Sequence, residues 1–440
     1  MKRLIYILLT LGLYCSCTDN DVTFFDVAMP KVTFDKRPGG AVMRYQLPAN
    51  TDIQAINIRY RDVFGKEMFR SASYACDSLV IIGFNEAQEN VLATVTLSNR
   101  ANEESEPMEV TFSTDKSGPV AFFDDLNVFV GWNGFSISYD APEHANGMAH
   151  IFYLGKDPNT GEPDTLLLNS FPIEGGRDTL AFQVKQHSSA NTIVIRTEDF
   201  RGYTVKEGVW ENIPSYNTAL LNPATFDFLD PEGISIEDPA ARLGKDYLFD
   251  GDTKGTTFYG LNTNAAYATY LSKADPVGKT LFILDLREAK NVAMTKLYAM
   301  LYVNDNFPWA GQVVYGDIWQ GAYMNKLPCD VSVYASNDIN DENSWKEIGH
   351  FKEDSKLDMG SRWCARTLGS SPDYRCPTID AIRATEPIAM QIDFPVTAEP
   401  FRFLKVVVND VFEHRDLNWP YKNTQKNVTI QEFEVYAKED

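Results

Sequence analysis

The sequence predicts an all-β protein, and three observations carry that prediction. Apolar and polar residues alternate over short runs, as in Val331-Ser332-Val333-Tyr334. Turn clusters such as Pro38-Gly39-Gly40 and Asn99 to Glu104 separate these runs at the spacing of sandwich strands. No helical heptad or long amphipathic stretch interrupts them. A chain of 440 residues, 44% hydrophobic and 12% aromatic, has room for about two to four packed domains. Its 40 Lys and Arg against 61 Asp and Glu give a net charge of -21. That balance argues against nucleic acid or an anionic lipid surface as a partner, since both require a basic footprint. It favours neutral over sulfated glycans, and it serves solubility equally well.

Residues 1–17 read as a targeting segment. Lys2 and Arg3 are basic, and Leu4 to Tyr14 is apolar but shorter than the roughly 20 residues that span a bilayer. The run ends in Tyr14-Cys15-Ser16-Cys17, which resembles a bacterial lipobox with Cys17 as the lipidated residue, because small Ser16 precedes it. Bulky Tyr14 weighs against Cys15. The acidic Thr18-Asp19-Asn20-Asp21 looks like the surface-export signal of Bacteroidetes lipoproteins. The resemblance implies an outer-membrane protein that touches the membrane through its lipid alone and faces the cell exterior. A plain secretory signal is the alternative. Either route leads to a compartment that permits disulfides. Cys364 and Cys376 flank the turn Gly369-Ser370-Ser371-Pro372 and are the pair placed for a local bridge, with Cys329 an alternative partner for either. Cys76 is expected as a buried thiol, and no Cys/His cluster has zinc spacing.

After a tether over 18–28, residues 29–115 read as one sandwich, with strands at Val42-Met43-Arg44-Tyr45, Ile56-Asn57-Ile58-Arg59-Tyr60 and Thr94-Val95-Thr96-Leu97. A second follows over 116–215, where Gly134-Phe135-Ser136-Ile137-Ser138-Tyr139 echoes Gly40-Ala41-Val42-Met43-Arg44-Tyr45. The pair resembles tandem fibronectin type III or Ig-like domains. Pro223, Pro231 and Pro239 mark 216–239 as a linker that partly packs on its neighbours.

Residues 240–440 read as a jelly-roll sandwich, with strands from Thr280-Leu281-Phe282 to Ile430-Gln431-Glu432-Phe433. Leu248-Phe249-Asp250-Gly251-Asp252, Phe282-Ile283-Leu284-Asp285-Leu286, Val333-Tyr334-Ala335-Ser336-Asn337-Asp338, Ser344-Trp345 and Glu432-Phe433-Glu434-Val435-Tyr436 resemble, in that order, the discoidin (coagulation-factor type C) domain. They are similar also to galactose-binding-like sandwiches and to carbohydrate-binding modules of family 32. The whole chain resembles Bacteroidetes lipoproteins assembled from domains of unknown function 4959, 5126 and 5000. Such proteins are commonly encoded beside outer-membrane glycan importers.

The loop Phe249 to Phe258 carries the chemistry of a calcium site, since Ca²⁺ takes hard oxygen ligands from carboxylates, hydroxyls and carbonyls. Asp250, Asp252 and Thr256 offer side chains, Gly251 and Gly255 let the backbone wrap, and Glu432 closes from the last strand. The family pattern implies a structural calcium there, although Gly255-Thr256 is displaced by one residue from the usual threonine. A metal-free Asp-Gly turn is the alternative.

Sugar binding needs aromatic platforms and fixed polar groups. Long segments offer them: Asn304 to Leu327 with Trp309 and Trp319, Lys352 to Pro387 with Arg362 and Trp363, and Asp410 to Val428 with Arg415 and Trp419. These six residues are the expected carbohydrate-binding set, against the alternative that the rings only fasten the segments to the sandwich. No nucleophile elbow, zinc-protease helix motif, Walker loop or dinucleotide fingerprint occurs, so no catalytic residue is assigned. The reading is a non-catalytic surface glycan-binding lipoprotein. The alternatives are an accessory subunit of an outer-membrane glycan importer and, more remotely, a glycoside hydrolase.

Overall fold

A computed structural model of the 440-residue chain describes residues 24, 27–49, 52–257, 267–301, 323–365, 379–396, 399–412 and 425–439. The protein is nearly all β, as expected. Its described residues fall into two compact units. One takes the chain through 127 together with 137–180 and 192–210; the other takes 128–136, 181–191 and 211 onward.

The first unit opens with a sandwich. A three-stranded antiparallel sheet (Val32–Arg37, Gly40–Tyr45, Ser78–Ile82) faces a four-stranded one in the order Glu67–Ser73, Ile53–Arg61, Gln88–Asn99, Met108–Thr114. The two-residue period of a strand sends Ile56 and Ile58 inward beside Met43, Ile81, Val95 and Leu97, all fully buried. Gly40 is required where these strands cross closely: a Cβ there would stand 1.8 Å from the Ile81 carbonyl oxygen. Cys76, expected to be buried, is exposed instead, because the turn at Ser73–Cys76 lies at the rim and not on a core-facing strand position.

Within the same unit, Met148–Lys156 pairs antiparallel with Pro163–Pro172 and with the Ile193–Glu198 stretch. Two hairpin turns of this unit follow one pattern. Asp62 Oδ1 accepts the amides of Phe64 and Lys66 around Gly65 (φ 73°), and Asp199 Oδ1 accepts those of Arg201 and Tyr203 around Gly202 (φ 80°). Arg201 bonds both aspartates, reaching Asp62 through Nη1 and Asp199 Oδ2 through Nε and Nη2 at 3.0 and 2.9 Å.

The second unit is dominated by a sandwich of two antiparallel sheets. One runs Thr218–Leu220, Glu432–Lys438, Val292–Ala299, Ile388–Asp393; the other runs Asp227–Leu229, Thr280–Lys290, Phe401–Val411, Pro328–Ser336, Lys346–Lys352. Leu281, Leu284, Val331, Leu404 and Phe433 fill the space between them. The segment 216–239 departs from its reading as a linker. It supplies an edge strand to each sheet, because Thr218–Leu220 and Asp227–Leu229 find unpaired strand edges at Tyr436–Lys438 and Ile283–Asp285. Trp132 belongs to this unit too, its indole N–H donating to the Phe394 carbonyl at 2.8 Å.

Candidate functional site

The Asp250 loop is positioned by aromatic packing before any polar contact is made. Phe249 meets Phe226 edge-on at 5.2 Å and Phe433 at 6.4 Å, which seats the loop against the last strand. The Gly251 amide then donates to Glu432 Oε2 at 2.9 Å, with Gly251 at φ 83°, a conformation that costs glycine least. Asp250 Oδ1 accepts from the Asp252 amide at 2.9 Å. Asp252 turns the other way: its Oδ1 accepts from the Thr256 amide (2.8 Å) and hydroxyl (2.9 Å), and its Oδ2 from the Thr257 amide (2.6 Å). The four residues read as calcium ligands are thus gathered as two pairs, Asp250 with Glu432 and Asp252 with Thr256.

The electrostatics of the first pair are unusual. Glu432 is only 3% exposed. Burial pushes its carboxyl up to about 8 against the Gly251 hydrogen bond, helped by the negative charges of Asp250 and Glu434. Asp250 is solvent-exposed as a residue, yet desolvation of its carboxyl and the charge of Asp252 raise it as well. Burial and mutual repulsion thus favour a proton on this pair of carboxyls, which a bound divalent cation would have to displace. The donor chemistry of Asp250 and Glu432 therefore fits calcium. Among the described residues, however, no group of three or more His, Cys, Asp or Glu side chains is gathered around one point.

At one end of this sandwich a second core contains Leu243, Leu271, Met300, Leu301, Leu327, Cys329, Cys364, Ile382 and Phe412. Leu327, Cys364 and Phe412 belong to the stretches Asn304 to Leu327, Lys352 to Pro387 and Asp410 to Val428 singled out in the sequence, and Leu301 lies just before the first. Arg362 is 2% exposed, its guanidinium stacked 4.4 Å over the Phe412 ring and its Nε donating to the Leu357 carbonyl at 3.0 Å. Trp363 packs against both cores, and its indole N–H donates to the Pro328 carbonyl at 2.8 Å. Both residues hold the base of this end together; neither presents its polar group outward. Trp309, Trp319, Arg415 and Trp419 lie outside the described residues, as do Cys17 and Cys376. Cys364 is buried in the second core. Beneath the same end, burial lowers the Lys326 ammonium to about 8.

Sequence reading missed the Arg201 clasp. Its signal was present, because Asp62-Val63-Phe64-Gly65 and Asp199-Phe200-Arg201-Gly202 are the same four-residue turn, one in each echoing segment. It also missed the stacking of Phe123 on Trp210, nearly coplanar at 11°.

The described residues define an all-β chain built of β-sandwiches. Residues 28–114 match the family described as Domain of unknown function (DUF4959). No curated protein matches the chain in sequence. Among solved structures it is similar to a SusE-like protein at 12% identity and a TM-score of 0.35, over 73% of this chain and 99% of that one. It is similar also to a two-domain fibronectin type III segment of chicken tenascin (14% identity, TM-score 0.18, 42% of this chain and 98% of that one). A third similarity is to the FN1–FN3 domains of chicken CNTN1 (9% identity, TM-score 0.20, 92% and 98%). None of these likenesses is close enough to transfer an activity.

Proposed function

We propose that this chain is a non-catalytic, lipid-anchored surface protein that binds neutral glycan through the loop-bearing end of its C-terminal sandwich. The observation that carries the reading is the second core: residues in and beside the three long stretches singled out in the sequence converge on one cluster. Three segments rooted together can form one composite surface, which is what a weak, repeated ligand such as a polysaccharide requires. Many anchored copies would compensate for low affinity per site. Arg362 and Trp363 serve this surface from below by fixing the roots, and the contact role passes to Trp309, Trp319, Arg415 and Trp419.

Calcium has a structural part in this reading. Asp250 and Glu432 would hold it, and it would supply a counter-charge that fixes the entry of the sandwich to its last strand. Asp252 and Thr256 shape the turn that presents Asp250.

Affinity gel electrophoresis against galactomannan, xyloglucan and desialylated mucin tests the reading. Retardation is expected, reduced by substituting Trp309 and Trp319 together with alanine. Absence of retardation in all three, with and without calcium, overturns it. Co-purification with a porin-type partner that those substitutions abolish would support the importer-subunit alternative in its place.

A further inference from the structure

The four-stranded sheet of the first sandwich has an outer face with its own cavity, of about 640 Å³, lined by Arg59, Arg61, Glu67, Leu92, Thr94 and Glu109 among others. That volume lies within the roughly 300–1,000 Å³ of small-ligand sites. Register explains the lining. Phe69, Arg59, Thr94 and Glu109 stand opposite one another in a single row across all four strands, and Glu67 pairs with Arg61 in the next row. A bulge between Gln88 and Val91 puts Asn90 at φ 55° on the rim, where it bends the strand beside the cavity.

The lining has a definite chemical taste. The Arg59 guanidinium is already held by Glu104, through bonds of 2.8 and 2.7 Å, and lies 4.9 Å over the Phe69 ring. It is a fixed wall, not a free cation. Arg61 and Arg59 are matched by Glu67 and Glu109, and Glu104 tips the balance acidic, so an anionic ligand gains nothing here. The remaining groups are hydroxyl-readers: carboxylates that accept, a guanidinium that donates, and the Thr94 hydroxyl that does both. Beside them Leu92 is 73% exposed and Phe69 53% exposed, a patch for the C–H face of a pyranose.

We infer that this face is a second saccharide-binding site, taking a short neutral glycan segment along the row Phe69, Arg59, Thr94 and Glu109. The inference rests on the glycan-binding reading given above, but places a site in the other unit, with residues that owe nothing to the C-terminal sandwich.

The test uses the full chain with galactomannan, xyloglucan and desialylated mucin as probes, and chondroitin sulfate as the anionic comparator. Two readouts are taken: gel retardation, and amide hydrogen exchange across Ile53–Arg61 and Gln88–Asn99. A bound neutral glycan should slow exchange in those two strands. Thr94→Trp, which fills the cavity, should abolish that protection. Glu109→Ala, at an exposed position, should weaken binding at this face about tenfold, the scale of one lost hydrogen bond to a charged group. Both effects should persist when Trp309 and Trp319 are also alanine. If Thr94→Trp fails to fold, Glu109→Ala alone decides. Glycan binding with no protection in these strands, unchanged by either substitution, overturns this site while the C-terminal reading stands. Preference for chondroitin sulfate overturns the ligand class, and no retardation by any probe overturns both readings.

Discussion

Replacing Arg201 with alanine removes the side chain that bonds the carboxylates of both Asp-x-x-Gly turns of the first unit. The Asp62 side chain is 0% exposed, that of Asp199 7% and that of Arg201 16%. Without the guanidinium, two buried carboxylates face one gap. Each keeps its Oδ1 bonded to two backbone amides, and each loses the partner of its Oδ2. Breaking a buried pair on one side costs about 3–5 kcal/mol, and the surviving amide bonds put this case near the lower figure. Rings of Phe64, Phe200 and Tyr203 sit 5.2, 5.4 and 5.2 Å from the guanidinium carbon and lose their cation as well. For a unit of roughly 150–250 residues, about 3 kcal/mol lowers the melting temperature by roughly 6–12 °C. Differential scanning calorimetry of the full chain should show the first unit's transition shifted and the second unchanged. Hydrogen exchange should rise at both turns together. A variant that melts with the wild type would refute the clasp. So would loss of protection at only one turn.

Other outcomes follow from single positions. Gly40→Ala should destabilise the first sandwich by about 1–3 kcal/mol, because the added methyl meets the Ile81 carbonyl; urea titration checks it. The Arg59 hydrogen bonds hold the Glu104 carboxyl below its ordinary range. A depressed carboxyl contributes stability above its unfolded pKa of about 4.3 and loses it as pH falls through the lower folded value. Denaturation between pH 5 and 2 should therefore show less loss in Glu104→Gln than in wild type, by under about 1 kcal/mol since both side chains are a third exposed. Chelator should lower the melting temperature of the C-terminal sandwich and leave the first unit unaffected, and Glu432→Gln should erase that difference. An unchanged melt in chelator would end the calcium reading.

What could be read in advance follows the physics of each signal. Period-two alternation identifies strands such as Ile53–Arg61 because burial on one face enforces it. Thr218–Leu220 and Asp227–Leu229 were hidden among prolines because three-residue edge strands are too short to show a period, and their partners lie far along the chain. Arg362 and Trp363 looked like a ligand-reading pair, since an arginine beside a tryptophan carries the same letters on a surface and under one. Only their neighbours, Phe412 and the Pro328 carbonyl, separate the two cases.

The acidic chain meets the problem of buried carboxylates in two ways, and the contrast bears on the calcium proposal. Asp62 and Asp199 are neutralised from within by Arg201, so that site is complete as folded. Among the described residues no lysine, arginine or histidine pairs with Asp250 or Glu432. Burial there pushes the Glu432 carboxyl up to about 8, which favours its protonated form. A proton satisfies two oxygens and no more, whereas a divalent cation can also draw in carbonyls of the same turn. The Gly251 amide on Glu432 and its φ of 83° bend the turn toward the last strand. Under the calcium proposal this loop is a clasp that takes its counter-charge from a bound cation, where the clasp of the first unit carries its own in Arg201.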